Sequence, residues 1–222
     1  MRALLVCLLL AFASPVWAGP PEGEAAAAQE EELTAAPDSI DYGMIENAGA
    51  DGVFESIPDG QVSVRHVGSG MVCRFEREGG RLILFPGLPR GEDVGCDHSG
   101  AGQFVTFYAT RYPGGSTLES ELASAVAAMQ ARYRQMEPRT LEVNVAPAGA
   151  VLPASRHARF LVTGPDGARM YTRVSVAIVR GWSIKMRFSA LAPDEEAATQ
   201  AEMASSMIWL AHLMDMPLGD AL

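Results

Sequence analysis

The second half of the chain alternates. In GWSIKMRFS (Gly181–Ser189), Trp182, Ile184, Met186 and Phe188 interleave with Ser183, Lys185, Arg187 and Ser189. Successive strand side chains point to opposite faces, so this segment predicts a strand with one apolar and one wet face. Arg180-Gly181 is a two-residue turn back to ARMYTRVSVAIV. That run is joined to SRHARFLVT through Gly164-Pro165-Asp166-Gly167, whose Pro and Gly suit a tight turn. With TLEVNV (Thr140–Val145) before a Pro/Gly-rich loop, these runs predict a meander. Upstream, Pro58-Asp59-Gly60 precedes QVSVRHV, which puts Val62, Val64 and His66 on one face. MVCRFE follows with Met71, Cys73 and Phe75 aligned, and Gly79-Gly80 is read as its hairpin turn into RLILFP. QFVTFYAT (Gln103–Thr110) is apolar on both sides and reads as a central strand.

Two segments change period. Leu118, Leu122, Val126, Met129, Tyr133 and Met136 recur at helical spacing, with Ser116 and Glu119 as a capping box and Pro138 as the stop. Glu119 and Glu121 at the start and Arg132 and Arg134 at the end suit the helix dipole. A second helix starts near Pro193 with Asp194, Glu195 and Glu196 in its first turn. Met203, Met207, Leu210 and Met214 form its apolar stripe and are assigned to the core, with Trp209 beside them. The expected fold is α+β: an antiparallel sheet of roughly six to eight strands with two amphipathic helices packed on one face.

The N-terminus breaks this pattern. Arg2, an apolar run to Ala13, Pro15 and Val16-Trp17-Ala18 are the three regions of a secretory signal peptide. The run is shorter than the ~20 residues that span a bilayer. Cleavage is expected after Ala18, and Cys7 lacks the small-residue context of a lipidation site, so the product is not read as a lipoprotein. Residues 19–52 then carry Glu22, Glu24, Glu30, Glu31, Glu32, Asp38, Asp41, Glu46 and Asp51 with no Lys or Arg. This segment is read as an acidic, largely disordered linker, leaving residues 53–222 as a single domain. The net charge of −10 argues against nucleic-acid binding, which needs a basic footprint. No later segment is apolar for long enough to form a membrane span.

Candidate chemistry is sparse. The nucleophile elbow, zinc-helix, phosphate-loop, dinucleotide, EF-hand and C-x-x-C motifs are all absent, and no cofactor is expected. The single lysine, Lys185, falls on the wet strand face, whereas a Schiff-base lysine is buried. An exported chain with Cys73 and Cys96 is read first as carrying a disulfide. A metal site from Cys73, Cys96 and His98, with His66, is the competing reading. His66 reads as a satisfied core histidine, while His157 and His212 read as surface residues. The Pro86–Gly102 loop, held by Cys96, is the one candidate surface site, through Arg90, Asp93, Asp97 and His98. A hydrolase site around Asp97, His98 and Ser99 is the alternative there.

The run from SIPDG through a helix opening STLESEL to a meander ending GWSIKMRFSA and a terminal helix resembles the PsbP/Mog1-like superfamily, over most of Val53 to Asp215. The resemblance implies a non-catalytic accessory or binding protein. The expectation is therefore a secreted or periplasmic module whose partner is an envelope protein or a small ligand. N-terminal sequencing of the exported protein should find Gly19 first; an intact Met1 in that fraction would overturn the export assignment.

Overall fold

The computed structural model describes residues 37–75, 80–100, 102–140, 151–164 and 166–216. The expected leader and cleavage site, the first part of the acidic segment and all but the first residue of the strand expected at 140–145 lie outside these. The elements are α1 (Pro37–Asn47), β1 (Phe54–Ser56), β2 (Val62–His66), β3 (Val72–Phe75), β4 (Gly80–Leu84), β5 (Asp93–Gly100), β6 (Gln103–Thr110), α2 (Leu118–Arg132), β7 (Met136–Pro138), β8 (Ser155–Thr163), β9 (Arg169–Val179), β10 (Trp182–Leu191) and α3 (Glu195–Asp215). Seven strands form an antiparallel sheet in the order β4-β5-β6-β10-β9-β8-β7, and β1-β2-β3 form a separate small sheet. The fold class is α+β, as the periodicity implies.

The β10 alternation defines the large sheet. Trp182, Ile184, Met186 and Phe188 lie on its front face; Ser183, Lys185, Arg187 and Ser189 lie on its back face. Register extends these rows, since directly paired residues share a face: Met186 opposes Phe107 and Ser175, and Lys185 opposes Tyr108 and Val176. The Arg180-Gly181 turn holds both residues at positive φ, +51° and +80°, the backbone of a type I′ hairpin.

The helices are not on one face. α2 packs on the back, where Met129 and Tyr133 bury against Val162, Val174 and Val176. α3 packs on the front, where Trp209 and Leu213 join the core of Ile184, Met186 and Phe188. The wet face of β10 is therefore roofed by a helix rather than open to water. α2 is capped by Thr117 with Ser120, one residue later than the Ser116–Glu119 pair suggests.

The methionine stripe of α3 points outward. Met203, Met207 and Met214 are 49%, 62% and 59% exposed, while the inward face carries Ala198, Ala201, Glu202, Ser205, Ser206, Trp209, His212 and Leu213. Small residues let the helix sit close to the sheet. The polar ones are accepted because β8 and β9 present charged and hydroxyl groups beneath them: Arg159 pairs with Glu202 at 2.6 Å, and Arg173 reaches Ser206.

Three further boundaries move. The folded unit begins before residue 53, because α1 buries Ile45 and Asp41, and Ser56 Oγ donates to Asp41 Oδ2 at 3.1 Å. Gly49, at φ +58°, closes α1 with bonds from Gly49 N to Glu46 O and Ala50 N to Ile45 O. The MVCRFE–RLILFP hairpin does not form: β3 pairs with β2, and β4 pairs with β5 in the other sheet. The second half of the expected 86–102 loop is β5, hydrogen-bonded on both sides between β4 and β6.

Cys73 and Cys96 form a disulfide, with Cα atoms 6.3 Å apart. The bond joins β3 to β5, so it ties one sheet to the other rather than a loop to a sheet. Removing a native bridge typically costs about 2–5 kcal/mol. Cys73→Ser or Cys96→Ser should lower stability by that amount and expose β1–β3 to protease first, with β8–β10 protected longest. Hydrogen exchange resolves this; uniform loss of protection across both sheets would contradict it.

Candidate functional site

The residues singled out in the 86–102 segment do not converge. Arg90 donates from Nη2 to Gly49 O at 2.7 Å and to Asp51 O at 3.2 Å, tethering the turn after α1. Asp93 accepts from Thr110 Oγ1 at 2.8 Å, across the β5–β6 pair. Asp97 is buried on the back face and bound by Arg81, Nε at 2.7 Å and Nη2 at 2.6 Å. These three are structural contacts.

Strand alternation divides Asp97, His98 and Ser99. Cys96 and His98 face front; Asp97 and Ser99 face back. An acid, base and nucleophile on opposite sides of one strand have no shared reacting point, so this trio assembles no hydrolytic site. The thiolate metal site is also removed, because both sulfurs are bonded to each other. Among the described residues, no group of three or more His, Cys, Asp or Glu is placed to hold a metal ion.

His98 instead lines a front-face cleft of about 460 Å³ between the small sheet, β5–β6 and the end of α3. One wall is β3, with Val72, Arg74 and Phe75; the opposite wall holds His98, Val105 and Phe107; α3 closes the third side with Ile208, Ala211 and His212. Arg74 spans the mouth, ion-paired to Asp215 and 3.7 Å from Asp59. The walls are mostly apolar, but His98 Nδ1 and His212 Nε2 are buried there without a hydrogen-bond partner. Buried polar atoms are normally satisfied, so these two imidazole nitrogens mark polar points in an otherwise apolar cleft.

His212 is the residue that sequence reasoning missed. It is buried rather than solvated, and its ring stacks on Phe107 with centroids 3.9 Å apart. Trp209 lies near-parallel to it at 6.0 Å, and His157 meets Trp209 edge-on at 6.3 Å. Burial, with Arg74 adding positive charge, lowers its pKa to about 3. The one signal in the sequence was its position three residues from Trp209, on the helix face opposite the methionines.

His157 is likewise not a surface residue. Its Nδ1 takes hydrogen bonds from Arg173 Nη2 at 3.2 Å and Ser175 Oγ at 3.0 Å. An arginine only donates, so Nδ1 carries the lone pair and Nε2 donates to Ser155 Oγ at 3.2 Å. Burial, then the charges of Arg173, Arg159 and Arg156, lower its pKa to about 3. His66 is the satisfied core histidine its position implied. Ser69 N donates to its Nδ1 at 3.2 Å, and its ring packs between Phe54 and Trp182. Burial brings it to about 4, against a smaller upward pull from its hydrogen bond to Gly91.

Lys185 is not on an open face either. Its Nζ lies 3.0 Å from Glu121 Oε2, and Ser183 Oγ donates to the same oxygen at 2.7 Å. Burial alone pulls the ammonium down, but the bond and charge of Glu121, aided by Tyr112, outweigh it and raise its pKa. A protonated, ion-paired amine is no Schiff-base nucleophile.

No protein-family model and no curated protein matches the chain. The disulfide, the α+β architecture and the absence of any membrane-spanning helix among the described residues stand on the structure alone.

The three depressed histidines make stability acid-sensitive. Each is neutral in the folded chain down to about pH 3–4 but titrates near 6.5 when unfolded. The unfolded state therefore binds more protons in that window, and stability is full above pH ~7 and falls as pH drops from ~6.5 toward 4. Each histidine contributes a slope of up to about 1.4 kcal/mol per pH unit. Denaturant melts from pH 7.5 to 4.5 should show this, and His212→Gln should flatten it by about one proton; a pH-independent midpoint would contradict it.

Proposed function

We propose that this chain is an exported binding module without catalytic function, and that its ligand sits in the front cleft. The observation carrying this reading is the pairing of apolar walls with two buried imidazole nitrogens that lack partners. Concave, largely apolar sites with a few oriented polar groups are the usual form of a small-molecule site. His212 is held uncharged by burial, and Arg74 at the mouth is already neutralised by Asp215. The ligand is thus a neutral small molecule with an apolar body and a polar group that bonds to imidazole.

Export rests on the leader at residues 1–18, and the disulfide is compatible with an oxidising compartment. The resemblance to the PsbP/Mog1-like superfamily supports an accessory rather than a catalytic role. Titration with N-phenyl-1-naphthylamine, a neutral fluorescent apolar probe, tests the site. Saturable one-to-one binding is expected. Ala211→Trp, at an exposed position on the cleft wall, should weaken it at least tenfold with an unchanged melting temperature. Non-saturable binding, or full affinity in that variant, would refute the cleft as the site.

A further inference from the structure

The back face holds a separate pocket of about 210 Å³, between α2 and strands β6, β10 and β9. Its helix wall is Ser124, Ala125, Ala128 and Met129; Tyr108 closes one side, and Lys185 and Arg187 contribute from the strand. The two cations are not equivalent. Lys185 is neutralised by Glu121 at 3.0 Å. Arg187 has no carboxylate partner among the described residues. Nη2 donates to Tyr133 OH at 3.0 Å, and the guanidinium lies over the same ring at 5.8 Å. Its Nε is buried and makes no hydrogen bond.

Asp97 is the acid in line with Arg187. The register runs Asp97–Thr106–Arg187 across β5, β6 and β10, so Thr106 stands between them. Arg81 already occupies Asp97. The pocket therefore carries one uncompensated positive charge beside an apolar wall. A half-buried guanidinium without a counter-charge is costly unless an anion completes it.

We infer that this pocket binds a monocarboxylate with a short apolar body, its carboxylate on Arg187 and its chain against Ala125, Ala128 and Met129. The planar guanidinium offers parallel N–H donors that match the two oxygens of a carboxylate. One net charge favours a monoanion over a phosphate dianion. The volume limits the body to a few carbons. Neither the front cleft nor its neutral ligand enters this argument, so each reading fails or stands by itself.

Isothermal titration with hexanoate and hexanamide tests the pocket. Hexanoate should bind one-to-one, more weakly as salt rises, and hexanamide at least tenfold more weakly. Arg187→Gln should reduce hexanoate affinity at least tenfold, while Ala211→Trp in the front cleft leaves it unchanged. Ala128→Leu, at an exposed helix position, fills the pocket without touching Arg187 and should abolish binding; it decides the matter if Arg187→Gln folds poorly. No hexanoate binding, equal binding of the amide, full affinity in Ala128→Leu, or loss through Ala211→Trp would each overturn the proposal.

Discussion

The covalent bond between Cys73 and Cys96 sets the geometry on which the front of the molecule depends. β1–β3 are a sheet of three short strands whose apolar residues, Val64 and Phe75 among them, bury in the same core as the large sheet. The bridge holds them over the large sheet. Both ends of the bond sit among cleft residues: Val72, Arg74 and Phe75 flank Cys73, and His98 lies two residues from Cys96 on the same face. The separation between the β3 wall and the β5 wall is thus fixed by a bond, not by packing alone. α1 adds a second tether, because Ile45 and Asp41 bury against the small sheet and Arg90 clasps the turn after the helix.

The two faces of the large sheet bury polar groups by different means. On the back, one carboxylate, Glu121, collects Ser183, Lys185 and Tyr112. On the front, Arg159 pairs with Glu202, while Arg173 spends its donors on Ser175, Ser206 and a neutral His157. Breaking a buried pair leaves a bare charge, costing roughly 3–5 kcal/mol, so these pairs fix how each helix seats even where they add little net stability. The front network runs through Trp209 to His212, which places an uncharged imidazole at the cleft.

Local rules read correctly where side chains alternate. β8, β9 and β10, their turns, the helical character of 118–132 and 195–215, and the cysteine pair were all legible. They fail where tertiary context outweighs them. DVGCDHSG has little strand propensity, and it is a strand because β4 and β6 bond to it from both sides. A 3.6-residue period identifies α3 but not which stripe turns inward. The methionines are the more hydrophobic side, yet the sheet beneath offers arginines and serines, so the side with Glu202, Ser205 and Ser206 is buried. α1 was obscured by its acids, one of which, Asp41, is a core residue. Arg187 carried no local signal and His212 only its place on the helix face of Trp209, because their roles depend on which strands and helices meet.

The front cleft and the back pocket share strand β6 while opening to opposite sides, and the pocket alone takes residues from β10. Phe107 lines the cleft, and its neighbour Tyr108 lines the pocket. A pleated strand separates the two sites by one residue, because successive side chains point to opposite faces. Communication would need a shift of the strands themselves. β6 and β10 are paired over eight residues on the interior of the sheet, the part of such a fold that opens last. A binding event on either side therefore meets a rigid floor, and its energy goes into its own contacts rather than into rearranging the opposite face.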